Sequence, residues 1–159
     1  MTMLKKKLGF TLVELLAVTL IIAALTAVAL PKYRRTIERA ASTEALVNLR
    51  SIFESAKRYK AANSVAPTKL KGLDIAFYDA SSEDENPFTI NKYEYKFLNT
   101  HVQACRLSGN YCFYMYYNHP TKGKDVLTCK ITTAGGKYDW LCDAMGDEDL
   151  GSNEYLIKG

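Results

Sequence analysis

The pattern of hydrophobic and polar positions begins with a long apolar run near the N-terminus. Between residues 10 and 30 the only ionisable side chain is Glu14. At about 1.5 Å per helical residue, the run would cover roughly 31 Å, the thickness of the hydrocarbon core of a bilayer. The run therefore predicts a helix that crosses a membrane once. A carboxylate in such a helix is costly unless it is paired. The apolar run offers Glu14 no adjacent partner, which points to a partner on another molecule.

Beyond Pro31 the pattern becomes amphipathic. Apolar residues recur at steps of three and four, the spacing of one helix face. This stripe consists of Ile37, Ala41, Ala45, Leu49, Ile52, Phe53, Ala56 and Tyr59. The same helix is therefore expected to continue to about Lys60. Pro31 lacks a backbone N–H and crowds the preceding turn, so we expect a kink there.

The rest of the chain alternates in the manner of strands. Residues 63–92 contain turn-forming residues and an acidic run at 81–86, which predict a long connection. Alternation predicts strands at 93–97, 111–117 and 126–132 and a short edge strand at 154–157. The expected fold class is α+β, with the long N-terminal helix packed on a small antiparallel sheet. The tyrosine-rich strand at 111–117 has two interpretations, a stacking platform for sugar or nucleic acid, or ordinary sheet core.

Charge changes this picture only at the N-terminus. The formal net charge is +4, and Lys5, Lys6 and Lys7 account for three of these charges, so the composition does not indicate a nucleic-acid site. Lysines directly before an apolar span favour a cytoplasmic N-terminus and an exported head. A secretory signal is an alternative, because Ala27-Val28-Ala29 fits a signal-peptidase site, although the run is longer than an ordinary signal and contains a glutamate. A plain signal-anchor helix is the second alternative for the N-terminal segment.

All four cysteines lie in the predicted exported part. An even number of cysteines in an oxidising compartment suggests disulfides. A turn lies midway between Cys105 and Cys112, and another between Cys129 and Cys142, so these pairs are preferred among the three possible pairings. Free thiols remain an alternative, whereas zinc is disfavoured because neither spacing is that of a structural zinc site.

The N-terminal motif carries a family resemblance. Gly9-Phe10-Thr11-Leu12-Val13-Glu14-Leu15-Leu16 follows the lysines, and Ala29-Leu30-Pro31-Lys32-Tyr33 ends the apolar run. This arrangement resembles the N-terminus of type IV pilin precursors and pseudopilins. The resemblance implies a leader at 1–9, a transmembrane and filament-core helix at 10–30, and a head at 31–159.

The resemblance also implies roles for single residues. A prepilin peptidase would cut between Gly9 and Phe10, the new amino group of Phe10 would be methylated, and Glu14 and Pro31 would act in assembly. The implied partners are identical or related pilins, the inner membrane, the prepilin peptidase and a pilus or secretion assembly machinery. Before assembly the chain would be a single-pass inner-membrane protein with a periplasmic head. Afterwards it would belong to a surface pilus or a periplasmic pseudopilus.

These implications lead to one function and two alternatives. The expected function is that of a structural subunit of a type IV pilus-like filament. The first alternative is a type II secretion pseudopilin, and the second is a secreted, disulfide-containing binding module whose N-terminus is only an export signal. The second cysteine pair also resembles the C-terminal disulfide-bounded loop of type IV pilins.

Chemistry-bearing motifs are scarce in the sequence. It contains no nucleophile elbow, zinc-protease motif or phosphate-binding glycine loop, which argues against an enzyme. No cofactor is expected, with calcium as the one alternative. Its candidate ligands are Asp143, Asp147, Glu148 and Asp149. These residues lack the EF-hand register, so calcium rests on composition and on the C-terminal calcium site of major secretion pseudopilins.

Overall fold

The computed structural model describes residues 9–78 and 80–158. The predicted leader, apart from Gly9, lies outside the described residues. The first element is helix α1, Leu12–Asn63, which contains Pro31. The long helix expected from the apolar run and the stripe is confirmed. The kink at Pro31 stays a prediction.

The chain forms two compact units, residues 1–40 and residues 41–159. In the first unit, the described part consists of residues 9–11 and the N-terminal half of α1, and its large apolar side chains are exposed, including Phe10 at 88 % and Ile22 at 57 %. Among the described residues, α1 is the one helix long and apolar enough to cross a membrane, and none of its most apolar stretch is buried. A soluble protein's core helix would instead be buried.

The second unit contains the remainder of α1 and a seven-stranded antiparallel sheet. The strand order is β1-β2-β3-β4-β5-β7-β6. The elements are β1 Phe88–Ile90, β2 Tyr93–Phe97, β3 His101–Arg106, β4 Tyr111–Tyr116, β5 Val126–Ile131, α2 Asp139–Met145, β6 Glu148–Gly151 and β7 Glu154–Ile157. The α+β class is therefore confirmed, and the strands predicted at 93–97, 111–117 and 126–132 are present to within one residue.

The C-terminal strand differs from the prediction in its position. β7 occupies the predicted residues but lies between β5 and β6, so β6 forms the edge and the edge assignment of 154–157 was wrong. Ser152 and Asn153 both have positive φ, at 54° and 60°, the pair that a type I′ hairpin turn requires. This turn folds β6 back along β7. The sequence hides β6 because an edge strand facing water needs few apolar side chains.

The core lies between one face of the sheet and the C-terminal part of α1. The helix contributes Ala45, Leu49, Ile52, Phe53 and Ala56, which are all buried. Tyr95 of β2 is also buried, and its hydroxyl donates to the Ala45 carbonyl at 3.4 Å. Burial raises the pKa of Tyr95 well above its usual range. The predicted stripe is confirmed from Ala41 onward, whereas Ile37 is 43 % exposed.

Candidate processing and assembly site

The start of α1 is closed by a reciprocal pair of hydrogen bonds. The Glu14 backbone N–H donates to Thr11 Oγ1 at 3.2 Å. In return, Glu14 Oε2 accepts from the Thr11 backbone N–H at 2.8 Å and from the Thr11 hydroxyl at 2.7 Å. This is a capping box, in which a threonine at the N-cap and a glutamate three residues later satisfy each other's backbone donors. Glu14 therefore helps to define where the helix begins.

This contact corrects the expectation that the chain offers Glu14 no partner nearby. Thr11 immediately precedes the helix, and the Thr-x-x-Glu spacing is the sequence signal that would have revealed the contact. Thr11 is neutral, however, so it hydrogen-bonds the carboxylate without compensating its charge. Among residues 9–78 and 80–158, no lysine, arginine or histidine forms an ion pair with Glu14. A demand for a positive partner therefore remains.

The Gly9–Phe10 peptide bond lies just before the capped helix. Both residues are exposed and outside the helix. A methyl group built on Gly9 would meet no atom within 4 Å. The described chain thus places no steric restriction of its own on this bond. A restriction on residue size at position 9 would have to come from an enzyme that binds the bond.

The polar side chains within the apolar segment bond to its own backbone. Thr19 donates to the carbonyl of Leu16 at 2.9 Å, and Thr26 donates to that of Ile22 at 2.7 Å. In lipid, an unsatisfied hydroxyl would be costly, and bonding to a carbonyl one turn earlier removes that cost. The segment is therefore compatible with a hydrocarbon environment along its length, with Glu14 as its one charged side chain.

Two disulfides fix the second unit. Cys105 and Cys112 face each other across β3 and β4, with Cα atoms 4.1 Å apart. Cys129 of β5 is joined to Cys142 of α2, with Cα atoms 5.3 Å apart, and both residues are fully buried. These are the two pairs that the intervening turns favoured. No free thiol remains, so the four cysteines are unavailable as zinc ligands.

The second disulfide attaches α2 to the sheet, and its removal is expected to destabilise the head. Replacing Cys129 and Cys142 with alanine should lower the free energy of unfolding by about 2 to 3 kcal/mol, because the unfolded chain gains loop entropy. Urea unfolding of the detergent-solubilised chain, followed by fluorescence of Trp140 in α2, the single tryptophan, measures this loss. The Cys105→Ala/Cys112→Ala variant removes the disulfide that closes the shorter loop, and it serves as the matched control. Free thiols at 129 and 142 in wild-type protein purified without reductant would contradict the pairing.

The candidate calcium ligands are dispersed among separate contacts. Glu148 pairs with Lys122 at 2.6 Å, and this hydrogen bond lowers the pKa of Glu148. Asp147 accepts from the backbone N–H of Lys158 at 2.7 Å, and Asp149 accepts from that of Gly151. In the part of the chain that the structure describes, no three acidic, histidine or cysteine side chains converge on a position for a metal ion. Calcium binding through Asp143, Asp147, Glu148 and Asp149 stays a prediction.

The tyrosine-rich strand divides its aromatic rings between two faces. Tyr111 and Phe113 are buried in the core, whereas Tyr114 and Tyr116 are half-buried on the opposite face. There the Tyr116 ring packs against His101 and His119, at centroid distances of 5.0 and 4.7 Å. Burial raises the pKa of Tyr116 to about 12. The core interpretation is therefore confirmed for one face, and the two histidines are neighbours that sequence reasoning missed.

Comparison with known proteins identifies the N-terminal segment. Residues 4–30 match the family described as the prokaryotic N-terminal methylation motif. No curated protein and no solved structure matched the chain. The match includes Gly9, Phe10 and Glu14 and ends where the exposed apolar run ends. This chain therefore carries the prepilin signature of type IV pilins and pseudopilins on an apolar helix that fits membrane insertion.

Proposed function

We propose that this chain is a structural, non-catalytic subunit of a type IV pilus-like filament. The observation that carries the proposal is the exposed apolar half of α1, which follows directly on a prepilin cleavage motif. An unburied apolar helix of this length needs lipid or other protein to cover it, because the hydrophobic effect disfavours its exposure to water. Lipid covers it before assembly, and copies of the same helix cover it afterwards.

The order of events follows from the motif. The lysines at 5–7 stay on the cytoplasmic side and orient the helix, which places the disulfide-bonded head in the periplasm. Prepilin peptidase removes residues 1–9, and Phe10 becomes the methylated N-terminus. The helix then leaves the membrane for the filament core. There the positive amino group of Phe10 on one subunit supplies the ionic partner that Thr11 does not give to Glu14 of another.

Filament growth requires contacts that do not close into a ring. A contact that joins two different surfaces of the same subunit produces an open helical assembly when its rotation fails to close. The pairing of Phe10 with Glu14 of another copy is a contact of this kind. The same signature occurs in pseudopilins, so a periplasmic secretion pseudopilus is the second candidate.

Immunogold electron microscopy of assembled fibres tests the proposal. Fibres are sheared from native cells that carry an epitope-tagged copy of this chain. The sheared fraction and the cell bodies are then examined separately. Labelled fibres on the surface are expected for a pilus, and labelled fibres confined to the periplasm would identify a pseudopilus. Soluble, monomeric protein in the medium whose N-terminus is Leu30 would contradict both and favour a secreted binding module.

A further inference from the structure

An open pocket lies beside the C-terminal end of α1, where the connection between β4 and β5 meets the helix. Its volume is about 440 Å³. Its lining residues are Lys57, Lys60, Ala61, Tyr117, Lys124 and Asp125. We call it the lysine pocket. All of its residues belong to the second unit of the chain.

The lysine pocket holds more positive charge than the chain itself neutralises. Lys57 is paired, because its ammonium lies 2.7 Å from Asp125 and 3.6 Å from Glu54. Lys60 lies over the ring of Tyr117, 4.5 Å from its centroid. Among the residues that the structure describes, no carboxylate forms an ion pair with Lys60 or Lys124. Two ammonium groups at the pocket are therefore available to a negatively charged ligand.

Tyr117 adds a second unsatisfied group to the same pocket. Its ring stacks on Phe53 with centroids 4.9 Å apart, and its hydroxyl is buried without a hydrogen-bond partner among the described residues. Burial raises the pKa of Tyr117 to about 12, so the hydroxyl keeps its proton at neutral pH and is able to donate a hydrogen bond. Buried polar groups in folded proteins are normally satisfied. The side chain that lines the pocket therefore carries one buried donor that the described chain leaves unsatisfied.

The chain carries matching carboxylates on a different surface. Glu83 and Glu85 are exposed, and within residues 9–78 and 80–158 no cation pairs with either one. Asp84 between them already pairs with Lys71 at 3.1 Å. The Ser81 backbone N–H donates to Thr89 of β1, which places this acidic loop beside the edge strand β1. The lysine pocket adjoins β4 and β5, with β2 and β3 between them and β1.

We propose that the acidic loop of one subunit, through Glu83 and Glu85, binds the lysine pocket of the next copy of this chain in the filament. This inference rests on the proposed filament function and assigns it a contact between heads. Because the loop and the pocket are different surfaces of one head, their pairing is heterologous and extends from copy to copy. The charges also disfavour pairing between two identical surfaces, since two pockets or two loops facing each other would repel.

Charge reversal on each side, followed by recombination, tests the contact. Full-length subunits carrying Lys60→Glu and Lys124→Glu, or Glu83→Lys and Glu85→Lys, are each expected to lower the yield of sheared filaments about tenfold, because like charges then face each other. The subunit with all four substitutions restores opposite charges and should recover yield to within about twofold of wild type. The Lys92→Glu/Lys96→Glu variant is the control for the pocket variant. It makes the same change in net charge, but on β2 and the turn before it, and should leave the filament yield unchanged. Wild-type Trp140 fluorescence in the membrane-extracted variants verifies their folding.

The possible outcomes separate this contact from the filament function. Wild-type yield from the Lys60→Glu/Lys124→Glu subunit, or no recovery in the fourfold variant, would overturn the contact while wild-type filaments still support the function. A loss limited to the pocket variant, with normal yield from Glu83→Lys/Glu85→Lys, would show that another acid occupies the pocket and would also overturn the contact. Failure of the wild-type chain to form any filament would overturn both.

Discussion

Replacing Glu14 with alanine is expected to abolish filament assembly while leaving membrane insertion and leader cleavage intact. Insertion should survive because the apolar segment becomes more apolar. Assembly should fail because the amino group of Phe10 in a neighbouring subunit would lose its ionic partner in a dry helix bundle. Removing one member of a buried ion pair typically costs about 3 to 5 kcal/mol. In the proposed filament the pair would also fix the axial register between helices, which no uniformly apolar surface would define.

The capping box gives this experiment its control. Glu14→Ala removes both the charge and the bonds to Thr11, whereas Glu14→Gln keeps a side chain that serves in a capping box and removes only the charge. We expect both variants to be cleaved and neither to assemble, as measured by the yield of sheared filaments and by N-terminal mass spectrometry. Filaments of normal yield and helical rise from Glu14→Gln subunits alone would show that the helix cap, and not the charge, is what assembly requires.

Replacing Gly9 with valine is expected to block leader removal almost completely. The structure offers no reason for a folding defect, because a side-chain carbon at position 9 meets nothing within 4 Å in the described chain. The block would therefore arise at the peptidase, where a branched side chain next to the scissile bond displaces the bond from its reactive geometry. Small misplacements of this kind cost about a hundredfold in rate. Mass spectrometry of the membrane-extracted subunit distinguishes the uncleaved chain from one that begins at Phe10.

Gly9→Ala provides the matched control for size. It adds one methyl group and should slow cleavage less than valine does. The uncleaved Gly9→Val subunit should accumulate in the membrane and form no filaments, because its Phe10 nitrogen is an amide without charge. If the Gly9→Val subunit acquires a mature N-terminus at Phe10 at the wild-type rate, the size of residue 9 does not limit cleavage and the prediction is wrong. Recovery of mature wild-type protein beginning at Leu30 would instead show that a different peptidase processes the chain.

The structure also shows where local sequence patterns are insufficient. Strand β3 escaped prediction because His101 and Gln103 face the half-exposed side of the sheet, and only its pairing with β2 and β4 makes the segment a strand. Strand β1 is three residues long and follows Pro87, so it offers little alternation to detect. Both strands depend on hydrogen bonds to neighbours that are distant in sequence. Local periodicity does not contain that information.

The sequence by itself determined the features that depend on neighbouring residues. A long apolar run, the stripe behind it and the Thr11-x-x-Glu14 spacing suffice for the helix, because helical contacts reach only three or four positions along the chain. The cleavage motif is also local, because it consists of consecutive residues around the Gly9–Phe10 bond. Tertiary structure alone decided that β7 lies inside the sheet, that Cys142 brings α2 onto β5, and that Lys60 and Lys124 meet Tyr117 in one pocket. Those juxtapositions join residues far apart in the sequence, and packing of the whole head is what brings them together.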